Sequence, residues 1–194
     1  MRIISGSMRG TKLNTLEGLN TRPTLDRVKE ALFSKLDFEV NENPVVLDLF
    51  SGSGALGLES ISRGAKYAVL CDNSRDAIRI INSNVEKTRT QDKTLILNMD
   101  YEKALNKCKQ DGLKFDLVLL DPPYKTNYAV NATKMIIDLD LLDKDGIIVI
   151  ESDERESIIQ GIKTNVITNY DSIELYDEKK YGRVYLFFIR KNLY

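Results

Sequence analysis

The sequence has 194 residues, of which 42% are apolar and 29% are charged, proportions typical of one soluble globular domain rather than a disordered chain. The formal net charge is −1, which excludes a uniformly basic surface, so any nucleic-acid-binding surface must be local. The chain contains no histidine, which excludes Ser-His-Asp and Cys-His hydrolases and every histidine-based zinc or iron site.

The front of the chain carries a local excess of basic side chains. Residues 1–36 hold seven basic and three acidic side chains, whereas the remainder holds 21 and 26. Residues 2–5 and 11–13 are predicted to pair as short strands, and a helix is predicted to begin at Thr24 as its N-cap. Apolar residues recur along this helix every three or four positions: Leu25, Val28, Leu32 and Leu36. We expect a single domain over 1–194, in which 1–36 is a basic extension of a core formed by 37–194.

From residue 45 onward, short apolar runs alternate with helical stretches. Five runs are predicted to be strands: Val45–Phe50, Tyr67–Cys71, Leu95–Met99, Phe115–Leu120 and Ile147–Ile150. Four stretches between them are predicted to be helices: 55–62, 74–88, 101–109 and 127–138. Near-continuous apolar strands separated by helices are typical of a parallel sheet that is covered on both faces.

The end of the chain shows a different pattern. Further apolar segments lie at 166–167, 173–175 and 184–189, and a turn is predicted over 179–182. The last two segments predict an antiparallel hairpin at the sheet edge. The predicted fold is therefore α/β and Rossmann-like, with a mostly parallel seven-stranded sheet, an antiparallel edge hairpin and a small N-terminal hairpin-and-helix extension.

The cysteines and the first residues bear on the compartment. Cys71 and Cys108 match no zinc spacing, and we expect both to be buried thiols. The first ten residues contain no apolar stretch of a secretory signal, and no run approaches the roughly 18 apolar residues of a membrane span. We expect a cytoplasmic protein with no metal and no membrane partner, and a monomer by default.

A glycine loop follows the first strand of the predicted sheet. Gly52, Gly54 and Gly57 form a GxGxxG pattern within the segment DLFSGSGALGLE, and Asp72 ends the next strand. Such a loop allows a tight turn and close approach of a ligand, and an acid at this distance can bind both hydroxyls of a ribose. The pattern predicts a nucleoside ligand, either NAD or S-adenosylmethionine, with a purely structural glycine turn as the alternative.

The fourth strand ends in the tetrapeptide Asp121-Pro122-Pro123-Tyr124. The two prolines end the ladder and hold a rigid turn at the carboxyl end of the sheet, where open α/β sheets bind ligands. A carboxylate, carbonyls without neighbouring N–H groups and a flat ring suit a planar group that carries an exocyclic amine. Acceptors on both N–H bonds of that amine stabilise the charge that develops as a methyl group arrives. The alternative is a rigid turn with a core tyrosine.

The DPPY segment and the glycine loop together resemble the amino-group methyltransferases that use S-adenosylmethionine on a Rossmann-like fold. The front end narrows the resemblance through MRIISG, residues 9–10, and the segments TRPT (21–24) and DRVKEALF (26–33), together with the KYG turn at 180–182. These segments, which span nearly the whole chain, resemble the RsmD family. That family methylates the N2 amine of guanine-966 in 16S rRNA of the small ribosomal subunit.

The resemblance implies a role for each matching position. The residues implied in cofactor binding are Asp48, Phe50, Gly52, Gly54, Asp72, Asn73, Asp100 and Tyr101, with Met99 alongside. The residues implied in holding the guanine are Asp121, Pro122, Pro123 and Tyr124. The residues implied in RNA contact are Arg9, Arg22, Thr24 and Arg27. The polar Asn73 stands where many such enzymes have an apolar residue under the adenine, which leaves that contact in doubt.

Several of these positions have a structural alternative. Asp100 could simply cap the helix over 101–109, and Thr24 is a helix cap whatever else it does. The charged residues of the first helix, from Asp26 to Glu30, could form a solvated face with pairing between successive turns.

Three other functions remain open on the sequence. Another amino methyltransferase could use the same motif, above all a DNA adenine-N6 enzyme, although 194 residues leave little room for a DNA recognition domain. Protein glutamine enzymes use the related NPPY. An NAD-dependent dehydrogenase would explain the glycine loop but not the tetrapeptide. A non-catalytic RNA-binding assembly factor would have no need of Asp121, Gly52 and Gly54.

Overall fold

Strands and helices alternate along the chain from residue 45. The computed structural model describes residues 1–16, 23–36, 42–123 and 125–191. Within them the strands are β1 (Val45–Asp48), β2 (Tyr67–Asp72), β3 (Thr94–Asn98), β4 (Phe115–Leu120), β5 (Leu142–Ser152), β6 (Ile173–Tyr181) and β7 (Val184–Lys191). The helices are α1 (Pro23–Leu36), α2 (Ala55–Ser62), α3 (Arg75–Thr88), α4 (Tyr101–Gln110), α5 (Tyr128–Asp138) and α6 (Arg155–Asn165).

The seven strands form one sheet in the order β3-β2-β1-β4-β5-β7-β6. The first five strands are parallel, and β7 runs antiparallel between β5 and β6. The predicted α/β fold with an antiparallel edge hairpin is therefore confirmed. The strand order reverses between β1 and β4, and ligands bind at the carboxyl ends of strands beside such a reversal.

Helices cover both faces of the sheet. Buried residues of α4, α5 and α6 pack with one set of strand side chains, and those of α1, α2 and α3 pack with the alternate set. The front end belongs to the second cluster, because Ile3, Leu13 and Leu32 are buried together with Leu58 and Leu119. The N-terminal segment is therefore part of the same core as the sheet.

The predicted N-terminal strands are reduced to a single bridge. Arg2 pairs antiparallel with Lys12 as an isolated β-bridge, and hydrogen bonds join Ile3 to Thr11 and Leu13 to Met1. Residues 2–5 do not continue as a strand because the backbone N–H groups of Ile4 and Ser5 bind the side chain of Glu59 instead. The predicted strands were therefore wrong in length, although the two segments do run antiparallel to each other.

The second half of the chain departs from the predicted boundaries. Strand β5 begins at Leu142, not at residue 147, because Leu142 already pairs with Phe115 of β4. The residues 143–146 form an irregularity between this pair and the next, Leu117 with Ile147. Helix α6 was missed, since only Ile158 and Ile162 are buried on it. Residues 167–169 form a short 3₁₀ helix. The hairpin turn is narrower than predicted, because Tyr181 still pairs with Val184.

Both cysteines lie within the described residues. Cys71 and Cys108 are buried as expected, and burial raises the pKa of their thiols to about 12 and about 11, which keeps both protonated. No helix in the described part of the chain is both long enough and apolar enough to cross a membrane.

Candidate functional site

The glycine loop turns directly from β1 into α2. Gly52 and Gly54 have φ angles of 54° and 77°, a left-handed backbone that disfavours side chains. Gly57 lies where the helix crosses the sheet, and a Cβ there would stand 2.1 Å from Leu70 Cδ2. A Cβ on Gly52 would meet nothing within 4 Å. The loop is therefore tight against the sheet at Gly57 and open at Gly52, as a loop that admits a ligand requires.

Asp48 is the last residue of β1 and lies under this loop. Its Oδ2 accepts a hydrogen bond of 3.0 Å from the N–H of Gly57, and its residue surface is 1% exposed. Burial, together with the charges of Asp121 and Asp72, raises the pKa of Asp48 to about 7. No cation among the described residues is recorded next to this carboxyl group, so a positively charged ligand group would stabilise its ionised form.

Asp72 ends β2, beside the same loop. Its two carboxylate oxygens accept hydrogen bonds from the N–H of Gly52, at 2.9 Å, and of Ser74, at 2.8 Å. Each oxygen keeps a second lone pair for a ligand hydroxyl. Asn73 is exposed next to it. The loop and this carboxylate are thus held together before any ligand binds.

Asp100 caps α4, which is the structural alternative considered for it. Its Oδ1 accepts from the N–H of Lys103 at 3.0 Å, and its Oδ2 lies 2.9 Å from Lys103 Nζ. The hydrogen bond from the Lys103 backbone, reinforced by the Lys103 side chain, lowers the pKa of Asp100. A capping role does not exclude a ligand contact, because the carboxylate remains at the surface.

Three aromatic rings line the sheet edge beside Asp100. The centroids of Tyr101 and Tyr128 lie 5.3 Å apart, and those of Phe50 and Tyr101 lie 5.6 Å apart. The rings of Phe50 and Tyr128 are nearly parallel, at 4° and 6.2 Å. Tyr128 is 41% exposed and was missed in the sequence, where its place four residues after Tyr124 was the available signal.

The Asp-Pro-Pro segment follows β4, which lies next to β1 where the strand order reverses. The segment is therefore on the side of the sheet edge where the glycine loop lies. Asp121 and Pro123 are exposed and Pro122 is buried, whereas Tyr124 lies outside the described residues. Protein atoms packed around the carboxyl group of Asp121 desolvate it and raise its pKa, although the residue retains exposed surface. The expectation that the local carbonyls are free is wrong for Pro123, whose oxygen accepts from Thr126 Oγ1 at 2.8 Å.

Two buried side chains that the sequence did not indicate tie the front of the chain to the glycine loop. Asn84, on α3, accepts from the N–H of Asn14 at 2.7 Å and donates to the carbonyl of Ser53 at 2.9 Å. Glu59, on α2, accepts from the N–H groups of Ile4 and Ser5 at 2.8 and 3.0 Å. Neither polar residue stands out in the sequence, because a lone Asn or Glu within a helix is usually solvated.

The basic residues of the front end divide into two groups. Arg9 and Arg27 are exposed, and Arg22 and the side chain of Thr24 lie outside the described residues. The prediction of Thr24 as the N-cap was wrong, because α1 already begins at Pro23. Lys29 does not belong to a solvated helix face, because it is buried against Glu59. No group of three or more metal-ligating side chains occurs in the described part of the chain.

Comparisons with known proteins agree with this geometry. The family described as conserved hypothetical protein 95 matches residues 1–190. The Bacillus subtilis protein named "Putative rRNA methyltransferase YlbH" is 33% identical over 177 residues, covering 90% of this chain and 95% of that protein. Ribosomal RNA small subunit methyltransferase D of Haemophilus influenzae is 32% identical, with 82% of each chain covered.

A solved structure agrees as well. The Escherichia coli protein named "Putative methyltransferase yhhF" superposes with a TM-score of 0.79 at 28% identity, covering 100% of this chain and 99% of that one. The fold and the site therefore define a methyltransferase of the Rossmann-like class, whose cofactor is S-adenosylmethionine. Within that class the chain belongs to the conserved hypothetical protein 95 family, which is the RsmD family predicted from its motifs.

Proposed function

We propose that this protein transfers a methyl group from S-adenosylmethionine to the exocyclic N2 amine of guanine-966 in 16S rRNA of the small ribosomal subunit. One observation carries the proposal: β1 and β4 are neighbouring strands, so the open glycine loop that follows β1 and the Asp-Pro-Pro segment that follows β4 begin side by side. The names of the relatives support a small-subunit rRNA substrate.

The residues around the glycine loop fit the cofactor. Gly52 and Gly54 allow close approach of its methionine end, and Asp48 accepts positive charge there. Asp72 binds the ribose hydroxyls with its remaining lone pairs. Asp100, Asn73 and the rings of Phe50 and Tyr101 would hold the adenine. S-adenosylmethionine supplies an electrophilic methyl group on a positively charged sulfur.

The Asp-Pro-Pro-Tyr segment holds the amine that receives the methyl group. The carboxylate of Asp121 and the carbonyl of Pro122 accept the two N2–H bonds, which directs the nitrogen lone pair toward the cofactor. These acceptors stabilise the positive charge that grows on nitrogen as the bond between methyl and sulfur breaks. The nitrogen then returns to neutrality by releasing one N2 proton to the Asp121 carboxylate. Tyr124 stacks on the base, which has to leave its helical stack to reach the pocket. Orientation and electrostatics suffice, so the reaction needs no histidine.

The basic front end contacts the RNA. Arg9 and Arg27 are exposed and able to meet phosphates. We assign Arg22 and Thr24 to RNA contact as well, on the resemblance of their segment to the family. The surface belongs to residues 1–36 of a single domain whose remainder binds the cofactor. Because the buried contacts of Glu59 and Asn84 join residues 1–16 to α2 and the glycine loop, the RNA-binding surface keeps a fixed position relative to the cofactor.

The test uses labelled S-adenosylmethionine and small ribosomal subunits that lack the modification. Nuclease digestion and mass spectrometry locate the label after incubation with the purified protein. We expect N2-methylguanosine at one 16S position. Label in DNA or protein but not in rRNA, despite measurable cofactor binding, would contradict the proposed substrate and would favour the other amino methyltransferases.

A further inference from the structure

Strands β4 and β5 bring a second carboxyl group next to Asp121. The two strands are parallel and adjacent, with Leu119 opposite Val149 and Leu120 opposite Ile150. Their next residues are Asp121 and Glu151, on strands that lie about 4.8 Å apart in such a sheet. Glu151 thus stands at the carboxyl edge of the sheet, one strand farther from the glycine loop than Asp121.

The pleat of the strands directs these carboxyl groups to one face. Leu120 and Ile150 point into the core beneath α4, α5 and α6. Because side chains alternate along a strand, the residues that follow them face the other side. Asp48 also lies on that side, where it binds the N–H of Gly57 on α2. The site therefore presents a row of carboxyl groups on three neighbouring strands, β1, β4 and β5.

The side chain of Glu151 makes no hydrogen bond and no ion pair with the residues that the structure describes. It is half-buried, its partner on β7 is the apolar Leu186, and Lys179, which pairs with Leu186 from β6, is in an ion pair with Asp177. Burial and then the charge of Asp121 raise the pKa of Glu151. A half-buried carboxyl group beside a second one is unfavourable unless hydrogen-bond donors meet it.

The substrate under Proposed function offers such donors. Guanine carries an N1–H next to its N2 amine, and the two point in the same direction along one edge of the base. We propose that Glu151 is the residue that selects guanine, accepting the N1–H while Asp121 accepts an N2–H. Adenine has an unprotonated acceptor at N1, which the ionised carboxylate of Glu151 would face without a donor between them; only the protonated carboxyl group could donate to it. This inference rests on the proposed function.

The test exchanges the donor at N1 in the substrate and the acceptor at position 151 in the protein. Small subunits are reconstituted with either guanine or 2-aminopurine at the target position. 2-Aminopurine keeps the N2 amine but has an acceptor at N1. Full-length wild-type protein and Glu151→Gln are compared by kcat/KM on both substrates at a pH above the raised Glu151 pKa of about 8. There the wild-type carboxylate is ionised and cannot donate, whereas a glutamine amide can donate to that acceptor. Glu156→Gln, an exposed glutamate on α6, is the matched control.

We expect the wild type and Glu156→Gln to prefer guanine by about 100-fold or more, as a site that hydrogen-bonds its substrate rejects an analogue lacking the donor. Glu151→Gln should narrow this ratio by about 10-fold or more and leave the dissociation constant of S-adenosylmethionine within about threefold. If turnover by the variant is too slow to measure, the fluorescence of 2-aminopurine subunits is read in the presence of S-adenosylhomocysteine. Stronger unstacking fluorescence with Glu151→Gln than with the wild type supports the inference.

Four results would overturn this inference. If the ratio of kcat/KM between the two substrates is unchanged in Glu151→Gln, or if the fluorescence is no stronger than with the wild type, Glu151 does not bind the N1 position of the base. A cofactor dissociation constant raised more than about tenfold, with the ratio unchanged, would assign the carboxylate to the cofactor's positive charge instead. No methylation of guanine subunits by the wild type would overturn the proposed function together with this inference.

Discussion

The ammonium group of Lys29 lies 3.1 Å from the carboxylate of Glu59 in the protein core, where the two side chains are 4% and 0% exposed. Lys29 also donates to the carbonyl of Arg2 at 2.5 Å, and Arg63 donates to the same carboxylate at 2.9 Å. One buried carboxylate on α2 therefore joins α1, the first residues of the chain and the end of its own helix.

Removing the charge of Glu59 should destabilise the whole protein. In Glu59→Gln the Lys29 ammonium stays buried without a counter-charge, which typically costs about 3–5 kcal/mol. Chemical denaturation should show this loss in the free energy of unfolding. Asp76→Asn is the matched control, because the Asp76–Arg79 pair is about three-quarters exposed and should contribute less than about 1 kcal/mol. Equal effects of the two substitutions would contradict the role given to Glu59.

Asn84 is expected to hold the glycine loop in place for the cofactor. Asn84→Ala removes the hydrogen bonds to Ser53 and Asn14 and leaves their partly buried backbone groups without this partner, at about 1 kcal/mol each. We expect lower stability and a dissociation constant for S-adenosylmethionine raised about tenfold, measured by calorimetry. Asn82→Ala changes the same residue type on the exposed side of α3 and should leave both quantities unchanged.

The buried carboxyl group of Asp48 should make stability depend on pH. Its pKa rises from 3.8 to about 7 on folding, so the folded protein holds this proton more tightly than the unfolded chain. This contribution to stability is fully present below pH 3.8 and is lost as the pH rises toward about 7.

Asp48→Asn removes the ionisation but keeps an oxygen for the N–H of Gly57. The variant should therefore gain stability relative to the wild type as the pH rises from 5 to 8, by about 1–3 kcal/mol. Thermal unfolding across this range measures the difference. A constant difference between the two proteins would show that Asp48 does not titrate there. We also expect weaker cofactor binding, because the negative charge is absent.

The exposed arginines should give RNA binding its salt dependence. Arg27→Ala should weaken binding of small subunits and lower the slope of log affinity against log salt by about 0.7–0.9, the value for one phosphate contact. Cofactor affinity should stay the same. Arg79→Ala removes an equally exposed arginine from α3 and should not change the slope. An equal change in both variants would mean that the effect reflects net charge alone.

The sequence predicted the parallel core well because its strands are nearly pure apolar runs. Strands β1, β2 and β4 lie within two residues of their predicted ends, and the glycine pattern lies at the predicted junction of β1 and α2. Helix α6 was not predicted because most of its side chains are polar and it packs through few apolar contacts. Edge strand β6 continues through polar residues to Tyr181 because backbone pairing with β7, not burial, holds it.

The residues of the candidate site could be predicted where a single motif contains them. They could not be predicted where residues far apart in the sequence come into contact. Gly52, Asp72 and Asp121 lie at the ends of strands, so their proximity followed from the order of a Rossmann-like sheet. The contacts of Glu59 with Ile4 and of Asn84 with Asn14 join residues at least 55 positions apart. Glu151 follows an ordinary apolar run within β5, and only the register of β5 against β4 places it beside Asp121.

Separating cofactor binding from methyl transfer at Asp121 tests the central claim most directly. Wild type, Asp121→Ala and the exposed control Asp153→Ala are compared for the dissociation constant of S-adenosylmethionine and for single-turnover methylation of unmodified small subunits. We expect Asp121→Ala to bind the cofactor within about threefold of the wild type and to lose at least about 100-fold in rate, as the loss of one stabilising group at developing charge predicts. Near-normal methylation by Asp121→Ala would contradict the mechanism.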